Sequence, residues 1–239
     1  VELVILDSTD PQVCPDDDPF APAVELKLVE RVVDDPEVVA WIGSYGSDQA
    51  KESMPILNRA GLAQITLSAS WPGLTKPGYG PGEPGFYFPT GRRHFFRMGS
   101  ADDMQGVVAA RWAREMGYRK LYIVNDATTY SSGLAGIFQL TAQDLGMIII
   151  GQDTYAGQSE TDEKLQKIAA QVAASGADLL YFPASSSDEA PRLIRMVKSL
   201  KPALPIMAGD AVANQLVGDV PAEQLEGLMA TDIAVVARD

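Results

Sequence analysis

The chain of 239 residues carries 19 lysines and arginines against 32 aspartates and glutamates, a formal net charge of −13. Such an acidic balance repels phosphate backbones and anionic lipid, so we expect no nucleic-acid partner and no membrane insertion of this segment. A hydrophobic fraction of 46 % is typical of a globular chain of one or two domains. One cysteine, Cys14, excludes an internal disulfide and a thiolate zinc site, and one histidine, His94, leaves little for a nucleophile–base pair.

Short apolar runs alternate with amphipathic helical patterns along most of the chain. The runs predict strands at Glu2–Asp7, Val38–Gly43, Leu62–Leu67, Lys120–Asp126, Met147–Asp153, Asp178–Phe182, Pro205–Gly209 and Gly227–Val235. Because they lack strict alternation, they favour strands that are covered on both faces, as in parallel sheets. Helices between them make β–α–β units and predict the α/β class.

Polar residues and glycines mark the helix ends. Ser100-Ala101-Asp102-Asp103 has a capping-box-like pattern that predicts a helix start, and Ser159 with Asp162 predicts another. Glycines follow the apolar periodicity of three helices and predict their ends, at Gly117, Gly146 and Gly176.

Residues 70–89 interrupt this alternation and are dense in proline and glycine, as in the run PGYGPGEPGFYFP. Such a segment cannot form a helix or a central strand, so we predict a long loop of the kind that is usually functional or mobile. The alternation on either side predicts two similar lobes. We assign residues 1–97 to lobe one, 98–233 to lobe two and 234–239 to a return crossover towards lobe one.

Ligands of doubly wound sheets bind outside the carboxyl ends of the strands. In lobe one the strand ends carry Ser47, at a helix start, and the Ser68-Ala69-Ser70 run. Uncharged hydroxyls and free amides there suit a carboxylate. In lobe two the strand ends carry Tyr130 and Asp210, which suit an aliphatic chain and an ammonium group. The two sets together predict a site for a zwitterion between the lobes.

Each of these residues also has a simpler interpretation. Ser47 alone is more often a helix N-cap, Ser68 and Ser70 are turn residues before a proline, Asp210 caps the following helix, and Tyr130 serves packing. The Gly-Ser-Tyr-Gly-Ser stretch lacks the lysine of a phosphate loop. The PDDDP run favours a solvated surface over calcium binding, and we predict no metal site.

Four stretches, in order, resemble one known family: residues 38–70, 95–115, 120–139 and 181–214. The family is that of the class I solute-binding proteins of ABC transporters, in particular the leucine/isoleucine/valine-binding branch. The resemblance implies a two-lobed periplasmic-binding-protein-like (type I) fold, with each lobe a doubly wound, mostly parallel sheet. Members of the family begin before the equivalent of Val1 and continue beyond Asp239. We therefore expect a chain truncated at both ends, with lobe one lacking its first strand and helix.

The resemblance also assigns roles to residues of the site. Ser47 would donate its hydroxyl to a ligand α-carboxylate, and the Ser68–Ser70 turn (with Ala69 at its centre) would offer backbone groups and the Ser70 hydroxyl. Asp210 would receive the α-ammonium, where the branch commonly has glutamate, and Tyr130 would be the aromatic residue of lobe two. Other residues are expected to line the pocket: Ser185, where the branch can have a tyrosine, and Tyr45 and Trp71 beside the carboxylate site.

The implied function is a non-catalytic receptor that binds a small amino acid between its lobes and delivers it to the membrane permease of an ABC transporter. We expect a monomer without cofactor, periplasmic or extracellular, with a lipid anchor on an absent N-terminal segment as one option. The resemblance does not secure leucine, isoleucine or valine as the ligand. A ligand-sensing regulatory domain of the same fold is the alternative. An α/β enzyme ranks lower, because the chain has no Gly-x-Ser-x-Gly elbow.

Overall fold

The computed structural model describes residues 2–6, 21–156, 160–185, 187–220, 223 and 225–233. The chain forms two compact units, unit 1 at Val1–Ser100 and unit 2 at Ala101–Asp239. The predicted crossover at 234–239 lies outside the described residues, as do Cys14, the PDDDP run and Ser159.

Unit 1 is built on a small parallel sheet. Its elements are α1 (Pro22–Glu30), β1 (Ala40–Ile42), α2 (Ser47–Ala60), β2 (Ala63–Thr66) and β3 (Phe95–Arg97), with 3-10 turns at Pro72–Leu74 and Gly85–Tyr87. The strands lie in the order β1-β2-β3, with Ala40 opposite Ala63 and Gln64 opposite Phe95. Since both pairs are parallel, the carboxyl ends of β1 and β2 meet at one edge of the sheet.

Unit 2 repeats the β–α–β arrangement on a larger scale. Its elements are α3 (Asp102–Glu115), β4 (Lys120–Asn125), α4 (Thr129–Asp144), β5 (Ile148–Thr154), α5 (Asp162–Ala174), β6 (Leu179–Phe182), α6 (Glu189–Leu200), β7 (Ile206–Ala208), α7 (Asp210–Asp219) and β8 (Leu228–Ala230). The sheet order is β5-β4-β6-β7-β8, and every pair is parallel. The predicted α/β class is confirmed.

Strand residues of unit 2 alternate between two apolar layers. Leu121 and Ile123 of β4 pack with α3 and α4, whereas Tyr122 and Val124 pack with α5, α6 and α7. This alternation follows from the two-residue period of a strand, and it covers both faces of the sheet with helices. The doubly wound sheet predicted for this part of the chain is therefore present.

Some predicted elements are wrong or displaced. Residues 2–6 form no strand, and Leu3, Val4 and Ile5 are 71–83 % exposed, because no strand among the described residues pairs with them. The strand β3 is not among the strands that the sequence predicted. The helix predicted from Ser100 begins at Asp102 with Ala101 at the N-cap and no side-chain cap, and α5 begins after Thr161, whose hydroxyl accepts from the amide of Lys164.

The other predicted strands are present, most of them shorter than expected. Gly146 and Gly176 take left-handed φ angles of 75° and 76° just past their helices, as the sequence predicted. Within the described part of the chain, no helix is both long and apolar enough to span a bilayer.

Candidate functional site

Ser47 is the first residue of α2 at the carboxyl end of β1. Gly46 holds the N-cap position and makes no side-chain cap, so the interpretation of Ser47 as the N-cap is wrong. The Ser47 hydroxyl oxygen instead accepts a hydrogen bond from the Trp71 amide at 3.1 Å. Because that bond uses the oxygen as an acceptor, the hydroxyl hydrogen remains free to donate.

Ser70 lies at the end of β2 and is only 1 % exposed. Its hydroxyl has no hydrogen-bond partner among the residues that the structure describes. A buried hydroxyl without a partner costs about 1–3 kcal/mol, which a ligand acceptor would recover. Ser70 is therefore a polar group of unit 1 that a bound carboxylate would satisfy.

The residues between them are held within unit 1. The Ser68 hydroxyl donates to the Tyr45 carbonyl at 2.6 Å, and the amides of Ser68 and Ala69 donate to the Thr66 hydroxyl at 3.3 and 3.0 Å. Thr66 in turn donates to the Ser44 carbonyl at 2.7 Å. Thr66, which the sequence analysis missed, therefore ties the two strand ends together and occupies amides that a ligand would otherwise find.

A buried polar network supports the turn that carries Tyr45. The Ser44 hydroxyl donates to the carboxylate of Glu25 on α1 and lies 3.0 Å from the Ser53 hydroxyl, to which Gln64 also donates at 2.9 Å. Burial raises the pKa of Glu25, and the hydrogen bond from Ser44 opposes this rise only in part. Tyr45 itself is 52 % exposed, so its ring is accessible from solvent.

Trp71 is fixed by the proline- and glycine-rich loop that follows it. Glu83 accepts hydrogen bonds from the Trp71 indole at 3.0 Å and the Tyr87 hydroxyl at 2.6 Å, and pairs with Lys51 at 3.3 Å. A Cβ at Gly73 would lie 1.8 Å from a Glu83 carboxylate oxygen, so a larger residue there would displace this carboxylate. These contacts hold the loop in place and therefore do not favour the expectation of a mobile loop.

Replacing Glu83 with glutamine should loosen this loop. Burial raises the pKa of Glu83, but the bonds from Tyr87 and Trp71 and the charge of Lys51 outweigh it, and the net shift is downward. The stabilisation is therefore present above the unfolded pKa near 4.5 and is lost as the pH falls through the lower folded pKa. At pH 7 we expect a protease to cleave the Glu83→Gln variant between residues 76 and 82 roughly fivefold faster than the wild type.

The matched control is Glu52→Gln, an exposed glutamate on α2. Wild-type cleavage should accelerate on acidification, while cleavage of Glu83→Gln should change less. Equal cleavage rates for all three proteins at pH 7 would show that Glu83 does not hold the loop.

In unit 2 the ends of β4 and β6 are joined by Asp126, which is buried. One Asp126 carboxylate oxygen accepts from the Thr128 amide and hydroxyl at 3.1 and 2.7 Å, and the other accepts from the Ser185 amide at 2.5 Å. The hydroxyls of Thr128 and Ser185 lie 2.9 Å apart. Ser185 is thus part of a polar wall, and Asp126 and Thr128 are members of it that the sequence analysis did not identify.

Asp210 is the first residue of α7, directly after β7. Gly209 occupies the N-cap and no side-chain cap is made, so the interpretation of Asp210 as a cap is wrong. One carboxylate oxygen, Oδ1, accepts from the Tyr130 hydroxyl and from Gln105 Nε2, both at 2.8 Å. No hydrogen bond from the described residues reaches the other oxygen, Oδ2. Asp210 is partly exposed, so Oδ2 can accept from a ligand.

Tyr130 combines packing with a polar role. Its ring belongs to the apolar layer under α3 and α4, and its hydroxyl donates to Asp210. Burial, followed by the negative charges of Asp210 and Asp102, raises the pKa of Tyr130 well above 10, so the hydroxyl keeps its proton. A phenol surrounded by two carboxylates also marks a region that favours a cation.

The structure thus brings Ser47, Ser68, Ala69, Ser70, Tyr45 and Trp71 together in unit 1, and Tyr130, Ser185 and Asp210 to one sheet edge in unit 2. Gln105 was missed. It lies four positions before Ala109 and eight before Ala113, so helical periodicity could have placed this polar residue on the buried face of α3. Among the described residues there is no cluster of three or more potential metal ligands.

The parallel sheets with polar strand ends are those expected of the type I periplasmic-binding fold class. The model of the periplasmic binding protein family matches residues 12–235, and the chain belongs to that family.

Comparisons with individual proteins agree with this family match. An amino acid binding protein of Pseudomonas aeruginosa is 25 % identical over 199 residues, which are 83 % of this chain and 49 % of that protein. The branched-chain amino acid transporter substrate-binding protein LivJ of Streptococcus pneumoniae, in complex with isoleucine, has a TM-score of 0.70 at 20 % identity, with 89 % of this chain and 56 % of that chain covered.

A solute-binding protein of an ABC transporter from R. palustris, in complex with benzoate, has a TM-score of 0.70 at 18 % identity, with 86 % of this chain and 54 % of that chain covered. The present chain therefore spans about half the length of these proteins. At these identities the two structural likenesses establish the fold alone.

Proposed function

We propose that this protein is a non-catalytic receptor for a small amino acid, periplasmic or extracellular, that delivers its ligand to the permease of an ABC transporter. In this proposal units 1 and 2 correspond to lobes one and two, the receptor acts as a monomer, and a lipid anchor on a preceding segment is compatible with its role. The protein similar to it from R. palustris serves an ABC transporter, which favours transport over sensing.

The observation that carries the proposal is Asp210. Its carboxylate lies at the carboxyl end of β7, receives two hydrogen bonds on Oδ1 and presents Oδ2 without a partner among the described residues. A carboxylate so placed is the natural acceptor for an ammonium group. Benzoate, which the similar protein from R. palustris binds, has no ammonium group and would leave the Asp210 carboxylate without a cationic partner. Asp210 therefore favours an amino acid over an aromatic acid.

In this proposal, unit 1 would supply the groups for the other end of an amino acid. The buried Ser70 hydroxyl and the hydroxyl hydrogen of Ser47, at the N-terminus of α2, are uncharged donors. A helix N-terminus and hydroxyl groups are sufficient to bind a carboxylate. Tyr45, Trp71 and Ser185 would then contact the ligand side chain and set its preferred size.

The test is to identify the ligand of the purified protein. Native mass spectrometry should detect a retained small molecule, and calorimetric titration with the proteinogenic amino acids should give at least one binder. That amino acid should bind about 30-fold more tightly than its analogue without the amino group, because a charged hydrogen bond is lost. If benzoate or another simple carboxylate binds as tightly as every amino acid tested, the amino-acid assignment is wrong.

A further inference from the structure

Gln105 is a buried amide in the interior of unit 2 that contacts the candidate ammonium acceptor. It lies on the first turn of α3, is 3 % exposed, and its Nε2 is 2.8 Å from Asp210 Oδ1. The same nitrogen is 3.1 Å from the Thr231 hydroxyl and 3.2 Å from the Thr231 carbonyl, just after β8. One side chain thus joins α3, α7 and the end of β8.

The orientation of this amide follows from its partners. All three contacts of Nε2 are to acceptor oxygens, so the opposite rotamer would place Oε1 against the Asp210 carboxylate and the Thr231 carbonyl, where like partial charges repel. Thr231 therefore fixes which end of the amide faces Asp210. Gln105 and Tyr130 both donate to Oδ1 from different helices, and this pair of bonds sets the rotation of the carboxylate and the direction of Oδ2.

Two glycines make room for this arrangement. A Cβ at Gly209 would lie 2.3 Å from the Tyr130 hydroxyl oxygen, and a Cβ at Gly106 would lie 2.7 Å from Ile137 Cγ2. A larger residue at either position would have to displace the side chain of α4 that faces it, Tyr130 or Ile137. Close packing of α3, α4 and α7 is therefore a condition for the two bonds on Oδ1.

The charges around Asp210 also favour a positively charged ligand group. Asp102, one turn before Gln105 on α3, is fully buried, and its charge acts together with that of Asp210 on Tyr130 and Tyr181. Among the described residues, no lysine, arginine or histidine pairs with Asp210. The hydrogen-bond donors that orient Asp210 are therefore neutral, and its negative charge is available to pair with a positively charged ligand group.

We propose that Gln105, held by Thr231, is a positioning residue that sets the Asp210 carboxylate for the ammonium group of the ligand. The inference rests on the proposed function, because it presupposes an ammonium ligand. According to this inference, recognition of the amino group also depends on α3 and on the end of β8. Tyr130 then orients the Asp210 carboxylate and is more than a ligand contact.

The experiment compares two ligands in two variants. Gln105→Met keeps the length of the side chain and removes its donor, and Gln143→Met changes an exposed glutamine of α4 as the control. Calorimetry, with competition for weak ligands, measures the amino acid that the wild type binds and its analogue without the amino group. Gln105→Met should lose about tenfold in affinity for the amino acid and less than about threefold for the analogue, while Gln143→Met changes neither.

The outcomes separate the two proposals. If the wild type does not prefer the amino acid, the proposed function fails. If the wild type prefers it and Gln105→Met weakens both ligands equally, or neither, the positioning role is overturned. Should Gln105→Met unfold, Thr231→Val gives a second measurement, because it removes only the hydroxyl acceptor. A loss of about threefold in affinity for the amino acid alone supports the proposal. An unchanged ratio of the affinities for the amino acid and its analogue contradicts it.

Discussion

Replacing Asp210 with alanine is expected to weaken amino-acid binding by about 100-fold or more. The substitution removes the carboxylate that would receive the ammonium, and it leaves the Tyr130 hydroxyl and Gln105 without the acceptor they share. Truncating one partner of a desolvated charge pair typically costs 2–5 kcal/mol of binding free energy, which corresponds to roughly 30-fold to several thousandfold in Kd. Calorimetric titration of the bound amino acid measures the effect.

Two further variants make this test specific. Asp210→Asn keeps the shape and one acceptor oxygen but removes the charge, so it should lose most of the same affinity. Asp188→Ala removes an exposed carboxylate next to α6 that makes no side-chain cap, so binding should stay within about twofold of the wild type. Equal losses for Asp188→Ala and Asp210→Ala would reject Asp210 as the ammonium acceptor.

Replacing Phe138 with alanine is expected to cause the largest loss of stability, about 3–5 kcal/mol in the free energy of unfolding of unit 2. Phe138 is fully buried on α4, and its ring stacks on Tyr181 with ring centroids 3.6 Å apart and planes 10° from parallel. Truncation removes this stacking and leaves a cavity in a densely packed layer. Urea unfolding followed by circular dichroism measures the change.

The control for this prediction is Leu140→Ala on the same helix. Leu140 is 66 % exposed, so its truncation should change the free energy of unfolding by less than about 0.5 kcal/mol. Because Tyr130 belongs to the same apolar layer as Phe138, ligand affinity should fall together with stability in Phe138→Ala. A loss of less than about 1 kcal/mol would mean that this layer repacks around the missing ring.

Much of the fold could be predicted because the sequence contains strong local signals. The run Lys120–Asn125 is dense in apolar residues, and the segment after it has the apolar period of a helix. A strand and a helix could therefore be predicted there without knowing which elements pack against them. The run at residues 2–6 has the same local character and yet forms no strand. A strand is stabilised by hydrogen bonds to a neighbour, and local composition does not say whether a neighbour is there.

For the candidate site, the sequence predicted which strand ends carry polar residues. Ser47, Ser70, Tyr130 and Asp210 could be named because parallel strands place their carboxyl ends at one edge of a sheet. Their individual partners could not be named. The bond between Gln105 and Asp210 joins residues 105 positions apart, and Glu83 reaches Trp71 only because the loop folds back over Gly73.

The sequence by itself determined the α/β class, the order of most strands and helices and the strand ends that carry polar residues, because apolar periodicity and glycine stops act within a few residues. Only the tertiary structure decided how those groups are engaged. Thr66 occupies the amides of Ser68 and Ala69, and within the described part of the chain Ser70 has no partner and Asp210 accepts hydrogen bonds on Oδ1 alone. The physical reason is that a side-chain hydrogen bond depends on distance and angle to within tenths of an ångström. Those quantities are set when helices distant in sequence pack against one another.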